Sequence, residues 1–214
     1  MTPSGRRASA PALRTLPSSF DCDVAVPRRA AEPGKMTGMS DQDLDEVEAA
    51  MARRVRPTES GTELQTLTQL LDFLRATVIA KATGITDEQA AAHPVPASGL
   101  TIAGLVKHLT GTERFWFSID FADLQVPWPW TDGNPHGNFT LSDTETIDFL
   151  RADYELECER SRQAIAGQPL DAVARSEGMK FTLRYALAHM VEETARHCGH
   201  LDLLRESIDG RKGQ

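Results

Sequence analysis

Apolar residues recur at three- and four-residue steps along most of the chain beyond Ser40, and polar, Pro- or Gly-bearing breaks separate the runs. That spacing is the period of amphipathic helices. Leu44, Val47 and Met51 share one face of a short segment that Ser40 can cap and that ends before Pro57. Leu64, Leu67, Leu71, Leu74 and Val78 mark a first long helix, with Ser60 and Glu63 at capping-box spacing before it and Gly84 at its end. After a short helical turn in DEQAAAHPVPASG, Ile102, Leu105, Leu109 and Trp116 give a second, running continuously through LTIAGLVKHLTGTERFWFSIDFADL. Ser142 and Glu145 form another capping box that opens the third, SDTETIDFLRADYELECERSRQAIAG. Thr182 caps the fourth, which Gly210 ends.

Four long amphipathic helices without a credible strand pair predict an all-α four-helix bundle. The stretch QVPWPWTDGNPHGNFTL, with three prolines and two glycines, reads instead as a loop long enough to wall a pocket. Residues 1–35 are rich in Pro, Arg, Ser and Ala and hold no apolar period, so they read as a disordered extension. Met36 and Met39 leave open an upstream start chosen in error, and Asp21, Asp23 and Glu32 argue against a transit peptide. The expected division is a disordered extension over 1–39, a short extra helix and linker over 40–57, and the bundle over 58–210.

Composition narrows the function classes. The 214 residues are 40% hydrophobic and 25% charged, an ordinary globular balance. A core of about 150 residues buries enough surface to fold without a structural metal or disulfide. The net charge of −8 and pI near 5.3 argue against a nucleic-acid partner. Cys22, Cys158 and Cys198 are odd in number and widely spaced, which suggests neither disulfides nor a cysteine zinc site and makes a reducing cytoplasm the default. No apolar run approaches the roughly 20 residues of a membrane span.

The fourth helix carries the candidate chemistry. Three of the six histidines fall in HMVEETARHCGH, and His189, Glu193, His197 and His200 project at roughly 0°, 40°, 80° and 20° around the helix axis. They make one stripe that borders the apolar face and turns imidazoles and a carboxylate inward. An unpaired buried carboxylate costs several kcal/mol, roughly, and a divalent cation reverses that penalty. Glu193 and His197 stand four residues apart, the spacing at which one helix offers two donors, and His108 on the apolar face of the second helix can supply a third. The plainer readings are a core histidine at position 108 and an intrahelical Glu193–His197 pair. Cys198 projects away from the stripe and reads as a small buried residue. Trp116, Trp128 and Trp130 are candidates for a pocket wall, Trp116 equally for the core. Arg196 lies at the edge of the stripe, where it can meet an anionic substrate or simply pair with Glu192.

LVKHLTGTERFWF and HMVEETARHCGHLDLLRESIDG together resemble the DinB/YfiT-like metalloenzyme superfamily, specifically its actinobacterial branch known as domain of unknown function 664, over about residues 58–210. The resemblance implies a four-helix bundle with a divalent metal on His108, Glu193 and His197. Many relatives have His where this chain has Glu193, and mycothiol-dependent maleylpyruvate isomerase resembles it in using glutamate. His200 stands where many relatives carry glutamine, which implies an outer contact to the metal site or a catalytic acid–base role, with ligation also open; His189 reads as structural. Zinc is the metal implied by prevalence, with nickel, cobalt, manganese and iron also accepting such donors. The implied activity is transfer or isomerisation of a small electrophile with a mycothiol-type thiol, and a homodimer is compatible with it. A metal-hydroxide hydrolase and a non-enzymatic metal- or small-ligand-binding stress protein stay open as alternatives.

Overall fold

The computed structural model describes residues 41–129 and 137–212. Ser40, Cys22, Trp130 and the expected N-terminal extension lie outside the described residues. The elements run α1 (Asp41–Ala52), α2 (Glu63–Ala82), α3 (Asp87–Ala91), α4 (Ile102–Glu113), a π-helical segment (Arg114–Phe121), a 3-10 turn (Gly137–Phe139), α5 (Ile147–Ile165) and α6 (Leu183–Asp209). Among the described residues there is no strand, only an isolated antiparallel bridge between Val173 and Thr182. The all-α bundle expected from the sequence is what forms.

Two expected capping boxes move. Helix α2 is capped by Thr62, whose hydroxyl accepts from the Gln65 amide at 3.3 Å while the Gln65 side chain accepts from the Thr62 amide at 2.9 Å. Ser60–Glu63 and Thr62–Gln65 fit the same pattern in sequence; the chain uses the second frame and leaves Ser60 in the preceding turn. The Ser142 amide does donate to Glu145 at 2.7 Å, but that contact closes a turn. Helix α5 starts after Thr146, whose hydroxyl accepts from the Phe149 amide at 3.2 Å. Glu145 is drawn instead to Lys107 of α4, 2.8 Å away. Thr182 and Gly210 bound α6 as expected, Gly210 taking the left-handed conformation with φ 77°.

The second long helix is not continuous α. Beyond Glu113 it widens into the π segment, where Phe115, Trp116, Phe117, Ile119 and Phe121 are all buried. Ser118 and Asp120 are buried among these rings, so the segment is enclosed at its polar as well as its apolar positions. The resulting core has two parts. One contains Val78, Ile102, Leu105, Leu109, Leu150 and Leu201; the other contains Leu71, Trp116, Phe117, Leu183, Leu187 and Met190. Each such buried Leu or Met contributes roughly 1.5–3 kcal/mol of transfer free energy. On α6 the stretch between Met190 and Leu201 joins the two parts, and Glu193 and His197 lie in it.

Polar pairs tie the helices in register. Arg75 of α2 grips Glu113 of α4 bidentately at 2.7 and 2.6 Å, both side chains buried. Arg205 of α6 donates to the carbonyls of Lys81 and Thr83, each at 2.7 Å, and so satisfies the orphan acceptors at the C-terminal end of α2. No helix among the described residues is long and apolar enough to cross a membrane.

Candidate metal centre

Helix α4 presents His108 and α6 presents Glu193 and His197 to the same point between the two core parts. The Nε2 atoms of both histidines lie 3.2 Å from one carboxylate oxygen, Oε1 of Glu193. The two imidazoles meet edge to face with centroids 4.8 Å apart. One donor atom from each residue falls within 4.8 Å of the other two. The side chains are 2%, 4% and 9% exposed for His108, Glu193 and His197, so water cannot satisfy them individually. Donors gathered on a divalent ion at about 2.0–2.2 Å stand about 3 Å from one another. Both N···O spacings, at 3.2 Å, match that separation, and two imidazoles with a carboxylate are the donor chemistry of such a cation.

Electrostatics prepare the donors for that role. Burial works against charge on Glu193, but hydrogen bonds from His108 and His197 override it and hold the carboxyl well below the usual carboxylate range. Burial lowers the pKa of His108 against the opposing pull of Glu193, which favours the neutral imidazole that ligation requires. The second oxygen of Glu193 is engaged by Arg196, whose Nη1 donates to Oε2 at 3.1 Å. Arg196 also pairs with Glu192. Phe139, from the 3-10 turn, stacks flat on His108 at 4.2 Å with 13° between the planes. Lys107 holds that turn by donating to the Thr140 carbonyl at 2.7 Å. Gly104 lets it approach, since a Cβ there would come within 3.1 Å of the Phe139 carbonyl oxygen.

A family profile described as Mycothiol-S-transferase matches residues 66–210, more than half of the chain and all three donors. The chain belongs to the mycothiol S-transferase family. This agrees with the DinB/YfiT-like resemblance carried by the motifs around His108 and Glu193. No curated protein matches the chain.

Across the part of the chain that matches the mycothiol S-transferase family, the structure sorts the remaining candidates. The stripe on α6 does not turn inward as a whole. Glu193 and His197 are buried, whereas His189 and His200 are half-buried, because a spread of roughly 80° reaches past the edge of the core-facing side. His200 is brought to His197, with their Nδ1 atoms 3.2 Å apart, and is not among the gathered donors. His189 packs on Trp116 at 4.5 Å and parallel to Tyr185 at 6.2 Å. Cys198 is buried, donates to the Leu74 carbonyl at 3.6 Å, and has its thiol pushed up to about 12 by burial, so it is a packing residue as expected. Trp116 is core, and Trp128 stays 46% exposed with its ring 5.8 Å from Phe115. Arg196 takes the expected pairing with Glu192, and in addition reaches the edge of the site through Glu193 Oε2. Sequence reading missed Phe139 and Thr112. Thr112 was accessible to it, standing one turn beyond His108, where its hydroxyl donates to the His108 carbonyl at 2.9 Å. Phe139 was not, because its approach depends on how a loop folds back over Gly104.

Proposed function

We propose that this chain is a divalent-metal-dependent enzyme that uses a low-molecular-weight thiol of mycothiol type to transfer to, or isomerise, a small electrophile in the cytoplasm. The observation that carries the reading is the meeting of His108, Glu193 and His197 around one oxygen, in a chain of the mycothiol S-transferase family. We assign the activity to residues 58–210, with those three side chains as ligands and zinc as the metal favoured by prevalence. When bound, such a cation lowers the pKa of a coordinated thiol or water enough to give a nucleophile at neutral pH.

The protein's own part is arrangement. His108 offers a neutral nitrogen, Glu193 offers one charge through Oε1, and the Arg196 contact occupies Oε2. Three protein donors leave room for one exogenous group, the pattern of catalytic and not of structural sites. Burial of the donors keeps competing water from them. The test is turnover by chelator-stripped protein with mycothiol and a panel of small electrophiles, before and after a divalent ion is restored. Turnover that needs both the ion and the thiol is expected. Turnover that needs the ion but proceeds equally without thiol would replace this reading with the hydrolase.

A further inference from the structure

The contact between His200 and His197 joins two ring nitrogens, and a hydrogen bond between two nitrogens carries one proton. The direction of that bond decides what His197 can do with its other nitrogen. A neutral imidazole has one N–H and one lone pair. To donate to Glu193 through Nε2, His197 keeps its proton there and must accept at Nδ1. To offer the Nε2 lone pair to a cation, it must carry the proton on Nδ1, and that proton needs an acceptor. The atom facing it is Nδ1 of His200, 3.2 Å away.

We infer that His200 is a positioning residue for the metal centre: it accepts the Nδ1 proton of His197 and thereby fixes the tautomer and ring plane in which His197 ligates through Nε2. The inference rests on the metal-centre reading above. Three observations converge on it. His197 is buried, so no solvent stands ready to take its Nδ1 proton. His200 lies one helical turn further on the same rigid helix, with the two ring centroids 5.2 Å apart, so the contact is built into α6. The His200 side chain is only half-buried, which leaves its Nε2 able to keep the proton that its own neutral ring requires. Such an outer contact typically multiplies metal affinity 10- to 100-fold, roughly, by sparing the ion the work of orienting its ligand.

Cobalt(II) serves as the probe, because its visible absorption reports coordination as well as occupancy. Titration of metal-stripped wild type, His200→Ala, His200→Asn and Glu193→Ala, each checked for an unchanged melting temperature without metal, separates the possibilities. His200→Ala is expected to bind cobalt about 10- to 100-fold more weakly. His200→Asn, whose amide oxygen can accept the same proton, is expected to recover most of the affinity and the wild-type spectrum. Glu193→Ala is expected to abolish the spectrum. Wild-type affinity and spectrum in His200→Ala, with Glu193→Ala inactive in binding, would overturn the positioning role and leave the metal centre standing. Undiminished binding by Glu193→Ala would overturn the centre and the positioning role together.

Discussion

At the scale of single residues, the centre draws on side chains whose chemistry is set by burial more than by identity. Cys198 adjoins His197 in sequence, yet it faces the opposite way and is held as a thiol. Cys198→Ala is therefore expected to leave bound metal and turnover unchanged, as elemental analysis and a thiol-dependent assay can check. Asp120 shows the same principle in a carboxyl group. Burial pushes its carboxyl from 3.8 up to about 6. The folded chain then holds this proton more tightly than the unfolded chain does. The stability it contributes is whole below about pH 4 and is lost as pH rises toward 6, by up to roughly 3 kcal/mol at about 1.4 kcal/mol per unit. Asp120→Asn should remove that slope and raise stability near pH 7, as urea denaturation across this range will show. Unaltered pH dependence would show that the carboxyl is already relieved in the folded state.

At the scale of elements, helix positions were legible where the apolar period was clean, and boundaries were not where two frames fit equally well. Thr62–Gln65 and Ser60–Glu63 cannot be told apart by pattern, and Glu145 was diverted by a lysine on another helix. The π segment escaped because apolar spacing of three and four residues does not distinguish a widened turn from a continuous α-helix. The contacts between elements make sharper predictions. Breaking the Arg75–Glu113 pair by Glu113→Ala leaves the buried guanidinium with Asp72 alone as a carboxylate partner, 3.0 Å away and partly exposed, and should cost up to about 3–5 kcal/mol in urea denaturation. Replacing both members with apolar residues of similar size, Arg75→Met with Glu113→Leu, should cost far less. In an ordinary helix Gly→Ala gains about 1 kcal/mol. At Gly104 the new Cβ would lie 2.9 Å from the Thr101 hydroxyl and 3.1 Å from the Phe139 carbonyl oxygen. Overpacking of this kind costs about 1–3 kcal/mol, so a net loss of up to roughly 2 kcal/mol is expected in place of the gain, with weaker metal binding as Phe139 leaves the face of His108.

At the scale of the molecule, the bundle places one donor from α4 beside two from α6, residues 85 positions apart for His108 and Glu193. The half of the site on α6 could be read from a four-residue spacing. Pairing it with His108 required the helices to pack, and spacing alone could name His108 only as the candidate on an apolar face; family resemblance supplied the rest. His200 could be located near the site in the same way, but its contact with the outer nitrogen of His197 is a matter of side-chain direction that no helical projection contains. If the centre binds a cation only when folded, the ion stabilises the whole domain by mass action, about 2.7 kcal/mol at a hundredfold excess over Kd. That corresponds to a rise of roughly 5–10 °C in melting temperature for a chain of this size, absent in Glu193→Ala.

The most direct measurement is the metal content of purified protein by elemental analysis, compared among wild type, His108→Ala, Glu193→Ala and His197→Ala after equal loading and desalting. Wild type is expected to retain about one divalent ion per chain, with each variant losing most of it. Equal content in all four proteins would contradict the centre.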